Sequence, residues 1–90
     1  MREEMDIRRK RLRFRSWHRG TKELDLLLGG FADRELAGMS EDDLGCFEAL
    51  LDVPEPTIYA WVTGDGAPPP EFDTDVMRRL RAFKVWPGRT

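Results

Sequence analysis

Apolar residues recur at helical spacing along most of this chain, in stretches separated by glycine or proline. Leu24, Leu27, Leu28 and Phe31 stand at i, i+3, i+4 and i+7, the spacing that lines one side of a helix. They predict a buried helix from about Thr21 to Phe31, its end weakened by Gly29-Gly30. Ser40 is an N-cap residue, with Asp43 three residues on as a box-like partner and Met39 and Leu44 placed as a hydrophobic staple. The helix that starts there turns Leu44, Phe47, Leu50 and Leu51 inward. Pro54 and Pro56 suit the first turn of a short helix, where a missing N–H costs nothing. Ile58, Trp61 and Val62 form its apolar side, and Gly64 supplies a C-cap. A last helix is predicted after Asp73, with Val76, Met77, Leu80 and Phe83 inward, Arg78, Arg79, Arg81 and Lys84 toward water, and Trp86-Pro87-Gly88 ending it.

The first segment, roughly residues 4 to 18, lacks one clean stripe: Ile7, Phe14 and Trp17 fall on one side, Met5 and Leu12 on another. That pattern predicts a weakly packed helix. Arg8, Leu12, Arg15 and Arg19 follow at steps of three or four residues beside Arg11, which predicts an exposed arginine stripe. No segment shows sustained period-2 alternation, and only Thr63 to Pro70, with its glycines and three prolines, reads as a long loop. The expected fold is all-α, a compact bundle of five short helices in a single domain over residues 1–90.

Composition narrows the possibilities. Ninety residues support one core, which excludes a two-lobed enzyme or a paired nucleotide-binding fold. One cysteine, Cys46, and one histidine, His18, exclude a disulfide framework and a cysteine-based zinc site, and leave no metal ligand set in view. No apolar run approaches the ~20 residues that span a bilayer, and the acidic residues among the first arginines fit no secretory or mitochondrial leader. The expectation is a cytoplasmic protein without membrane insertion. The net charge of −2 hides an uneven division: residues 1–19 hold eight Lys/Arg against three Asp/Glu, residues 20–76 two against fourteen, and residues 77–90 five against none. Either basic and acidic helices attract one another within the fold, or a basic surface receives an anionic partner.

Catalytic chemistry finds little material. Cys46 sits between Leu44 and Phe47 on a helix with no histidine near it in sequence and is read as packing. Glu41, Asp42 and Asp43 are explained by the helix N-terminus, and Gly64-Asp65-Gly66 lacks the spacing of a phosphate loop. An enzyme is not expected. Phe47, Trp61 and Phe83 are read as core, while Trp17 and Tyr59 stand between core edge and exposed anchor for a partner.

The segment from His18 to Asp25 brackets a glycine with charges at a corner between two helices. If the helix ran through, Arg19 and Glu23 would stand one turn apart as a surface ion pair. The alternative is a compact recognition surface with an arginine fork, a flat glycine floor and a carboxylate.

Arg19-Gly20-Thr21-Lys22-Glu23 resembles the Arg-Gly-x-x-Glu hallmark of the succinate dehydrogenase assembly factors, also called flavinators or FAD assembly factors. The likeness extends through Arg8 to Arg15, Glu23-Leu24-Asp25, Ser40 to Leu51 and Pro54 to Gly64, about four fifths of the chain. The resemblance implies a small five-helix accessory protein, monomeric when free. It implies binding to the flavoprotein subunit of succinate dehydrogenase or of fumarate reductase, and promotion of covalent FAD attachment. The flavin would belong to the client, with no cofactor held stably here. Arg19, Gly20 and Glu23 would form the client-facing patch, with Arg8, Arg11 and Arg15 as extensions and Asp25 beside them. His18 departs from the arginine often found before the motif. The same resemblance leaves a second role open, as the antitoxin-like partner of a small membrane toxin. A nucleic-acid module built on the arginine stripe is a further alternative, opposed by the acidic middle.

Overall fold

A computed structural model describes residues 2–64 and 66–83. The expected solvent position of Lys84, the stop at Trp86-Pro87-Gly88 and Asp65 in the expected turn lie outside the described residues. Among those described there are five α-helices and no strands: α1 Arg2–Trp17, α2 Lys22–Glu35, α3 Glu41–Leu51, α4 Glu55–Thr63 and α5 Asp75–Ala82. Two short 3-10 turns, Leu36–Gly38 and Pro70–Phe72, follow α2 and precede α5.

One core holds these helices. Leu12, Leu27, Leu28, Phe31, Phe47 and Ile58 have essentially no exposure, and the rings of Phe47 and Phe83 each lie 5.7 Å from that of Phe31. Trp61 covers the edge, 5.3 Å from Phe72. Cys46 is a free, partly buried thiol packed against this core.

The expectation that the first helix packs weakly is overturned. Leu12 is buried and Met5 rests against the core. The side carrying Ile7 and Phe14 is left outside instead, at 54% and 63% exposure. Trp17, which a half-exposed anchor could have explained, lies against α2: a Cβ placed on Gly29 would meet its Cδ2 at 2.2 Å, and its Nε1 donates to Asp33 Oδ1 at 3.3 Å.

This contact also explains why α2 outlasts its two glycines. Each costs about 1 kcal/mol of helix propensity relative to alanine, but Gly29 lets the indole press on the helix backbone. The helix therefore continues four residues beyond the expected end at Phe31. It passes into the 3-10 turn, where the Leu36 carbonyl accepts from the Met39 N–H at 3.1 Å and Arg9 adds further donors, Nε to the Leu36 carbonyl and Nη2 to that of Met39, both at 2.9 Å.

The predicted start of α3 stands, since Ser40 Oγ accepts from the Asp43 N–H at 3.1 Å and Met39 and Leu44 are both buried. The Asp43 carboxylate does not close a capping box; it turns to Arg79 at 3.4 Å. Arg79 also meets Asp75 at 3.0 Å and Glu35 at 3.6 Å, so one guanidinium ties α5 to α2 and α3. Its hydrogen bond to Asp75 raises its pKa further above the ordinary arginine value, against a lowering by desolvation, so it stays charged at every pH of interest. Arg79 is thus an exception to the expected water-facing set, whereas Arg78 and Arg81 are exposed. Thr74, not Asp73, caps α5, accepting from the Met77 N–H at 3.2 Å. Asp73 instead faces Arg78 at 3.4 Å. Gly64 ends α4 in the left-handed region, φ +91°, as expected.

Gly29→Ala drives a methyl into the Trp17 ring and is expected to cost about 1–3 kcal/mol in urea unfolding. Gly38→Ala, where a Cβ has open space, is expected to stay within about 0.5 kcal/mol. Combining Gly29→Ala with Trp17→Ala should cost less than the two single changes together.

Candidate functional site

The corner between α1 and α2 is built by three backbone events. Helix α1 stops at Trp17, where the His18 N–H reaches only the Arg15 carbonyl at 3.3 Å. Gly20 then takes φ +111°, in the left-handed region where a side chain is strained. Thr21 begins α2, its carbonyl accepting from the Asp25 N–H at 2.9 Å. The Asp25 carboxylate reaches back to take the Arg19 N–H at 2.7 Å, so Asp25 pins the corner.

Arg19 points across the molecule to the end of α3. A helix leaves its last carbonyls without intrahelical donors. Those of Ala49 and Leu50 are met by the N–H groups of Asp52 and Val53, but the residue placed to serve Leu51 is Pro54, which has no N–H. The Arg19 guanidinium fills the gap: Nη1 donates to the Leu51 carbonyl and Nη2 to that of Val53 at 3.0 Å. A cation here also complements the negative end of the helix dipole. The Arg19 Nε is buried without a partner.

The rest of the supposed arginine stripe faces the same way. Arg8 Nη2 meets Glu48 Oε1 at 3.0 Å and Arg15 Nη2 meets Asp52 Oδ1 at 2.6 Å. The expected exposed stripe is therefore corrected: Leu12 is its buried centre, and Arg8, Arg15 and Arg19 engage groups on α3 and on the two residues that follow it. Period alone could not tell an outward basic face from one met by the acidic side of α3. Arg11 stands apart on the exposed side of α1, without an ion pair among the described residues. With Glu4, Ile7, Arg8 and Glu48 it edges a depression of about 320 Å³.

Arg19 and Glu23 do not pair. The break at Gly20 sends them in different directions, Arg19 inward and Glu23 outward. Glu23 is exposed and lines an open groove of about 360 Å³ with Thr21, Leu24, Glu55, Pro56 and Tyr59. A Cβ on Gly20 would lie 3.5 Å from Glu55 Oε2, which sets the glycine at the margin of this groove. The structure thus joins Gly20 and Glu23 at one surface, uses Arg19 and Asp25 beneath it, and places Arg8 and Arg15 on the α1–α3 contact.

Pro56 is explained by the first turn of α4, and Glu55 beside it draws no reading from the sequence. The available signal was spacing: Glu55 and Tyr59 are one helical turn apart, opposite to buried Ile58 and Val62. Tyr59, 40% exposed, lies at the groove rather than in the core. Among the described residues no cluster of three or more His, Cys, Asp or Glu could hold a metal ion, and no helix is long and apolar enough to cross a membrane.

These features define a small all-helical protein whose distinctive surface is a braced corner beside a groove lined by carboxylates and an aromatic ring. Residues 10–84 match the family described as the flavinator of succinate dehydrogenase, and the chain belongs to that family. The FAD assembly factor SdhE of Acetobacter pasteurianus is 37% identical over 78 residues, covering 87% of this chain and 72% of that protein. The mitochondrial succinate dehydrogenase assembly factor 2 of Dictyostelium discoideum is 37% identical over 78 residues, 87% of this chain and 55% of that one. Its namesake from Debaryomyces hansenii is 46% identical over 61 residues, 68% of this chain and 43% of the other. The chain spans about half the length of these mitochondrial relatives.

Arg19→Ala leaves two carbonyls without donors and is expected to lower stability by about 2–3 kcal/mol in chemical denaturation. Arg19→Lys should recover only part of this, because an ammonium does not reproduce the planar fork. Glu23→Ala should fall within about 0.5 kcal/mol of wild type.

Proposed function

We propose that this protein is an assembly factor that binds the flavoprotein subunit of succinate dehydrogenase, and that of fumarate reductase, and promotes covalent attachment of FAD to that client. The observation that carries the reading is the corner itself. Arg19 and Asp25 fix the backbone on either side of Gly20, and Glu23 is held outward at a groove shared with Glu55 and Tyr59. Membership of the flavinator family and the names of the relatives support it.

The flavin is the client's substrate, and this chain acts as a non-catalytic, monomeric helper in the cytoplasm. Holding two reacting groups in alignment lowers a barrier without the helper donating an atom. A folded corner of this size is suited to holding a client segment in one arrangement. Glu23 and Glu55 offer acceptors to N–H or cationic groups of the client, and Gly20 lets its backbone approach closely. Arg19 serves here as a brace, so its loss removes function by releasing the corner. The nucleic-acid alternative loses its main support, since Arg8, Arg15 and Arg19 are engaged within the fold.

Co-expression with a succinate dehydrogenase flavoprotein subunit, followed by flavin fluorescence of the denatured protein, tests the assignment. Glu23→Ala is expected to lower covalent flavin by about tenfold while the helper keeps its melting temperature. Gly20→Arg is expected to lower covalent flavin and also stability, because a non-glycine residue is strained at this φ. Wild-type levels of covalent flavin with both variants would sink the assigned patch.

A further inference from the structure

The corner does not account for the outer side of α1. Ile7, Lys10, Arg11 and Phe14 stand at i, i+3, i+4 and i+7 and share one face of that helix. Ile7 and Phe14 are the most exposed large apolar side chains among the described residues, at 54% and 63%. His18, one turn beyond, stacks on Phe14 with ring centres 4.0 Å apart and its Nδ1 2.7 Å from the Phe14 carbonyl oxygen. The ring is thereby held in place at the surface.

The charges on this face differ from those elsewhere on the helix. Arg8 meets Glu48, Arg13 meets Asp33, Arg15 meets Asp52, and Arg9 holds two carbonyls as well as Asp6. The side chains of Lys10 and Arg11 make no hydrogen bond or ion pair among the described residues. Both lie between Ile7 and Phe14. Single exposed apolar residues need no explanation, but here two of them bracket two unpaired cations on one face. Ile7 and Arg11 also edge the depression of about 320 Å³, so the face offers a ridge beside a hollow.

We propose that the Ile7, Lys10, Arg11 and Phe14 face of α1 is a second client-docking surface. It receives an apolar patch rimmed by carboxylates on the flavoprotein client. The inference rests on the assembly-factor reading and adds to it a contact separate from the Glu23 groove. The choice of occupant follows from charge complementarity. Two unpaired cations within an apolar stripe lose hydration on docking unless carboxylates meet them. A second copy of this chain would place the same cations against each other in a two-fold contact.

Titration of the purified chain against the flavoprotein subunit, at several salt concentrations, tests this. Phe14→Ala and the double variant Lys10→Glu with Arg11→Glu are expected to bind about tenfold more weakly or worse. The charge-reversed variant should also lose the salt dependence of the wild type. All three positions are exposed, so circular dichroism and melting temperature should match the wild type. Wild-type affinity for both folded variants overturns the inference and leaves the assembly-factor reading intact. Sedimentation showing a wild-type dimer that Phe14→Ala dissociates, with client affinity unchanged, assigns the face to a second copy and equally overturns it. A wild type that does not bind the flavoprotein at all overturns the assembly-factor reading first and this inference with it.

Discussion

Pro54 leaves the end of α3 one donor short, and the Arg19 guanidinium supplies it. The Leu51 and Val53 carbonyls are bound by one planar group from a residue more than thirty positions earlier in the chain. Replacing that fork with water would open the contact between the α1–α2 corner and the segment leading into α4. Everything at the groove follows from it: Gly20 can turn, Asp25 can reach back, and Glu55 and Tyr59 arrive opposite Glu23 because α4 starts where Arg19 ends α3.

The same logic extends along α1. Arg9 closes the turn after α2 as Arg19 closes α3, and Arg8 and Arg15 meet Glu48 and Asp52. The basic start and acidic middle of the sequence are thus largely an internal affair. Salt bridges this exposed contribute little each, about 0–1 kcal/mol, but they select one register of α1 against α3. The Arg19 fork on the Leu51 and Val53 carbonyls weighs more, because a carbonyl left without a donor costs about 1–3 kcal/mol.

Much of this fold was legible from local rules. Ser40, Gly64 and the apolar spacing of Leu24 to Phe31 and Leu44 to Leu51 located helices correctly, because capping and periodicity depend on near neighbours. Three features were hidden because they are settled at a distance. Gly29 reads as a helix breaker until Trp17 is known to lie on it. The arginines of α1 read as solvent-facing until α3 is known to lie opposite. Glu55 draws no reading, and Tyr59 stands as an undecided aromatic, until α4 is folded against the corner. Of the motif residues, Gly20 and Glu23 are exposed near one groove, while Arg19 is inward for a reason that lies in Pro54.

The left-handed turn at Gly20 is held from both sides before any partner arrives, by Asp25 on the preceding N–H and by Arg19 on α3. Any partner that met it would therefore select no rare conformer and order no loop. Association then loses mainly the freedom of two rigid bodies, and most of that is regained on separation. A surface set in advance does not need tight binding to be effective, so encounters with it can be brief and release quick.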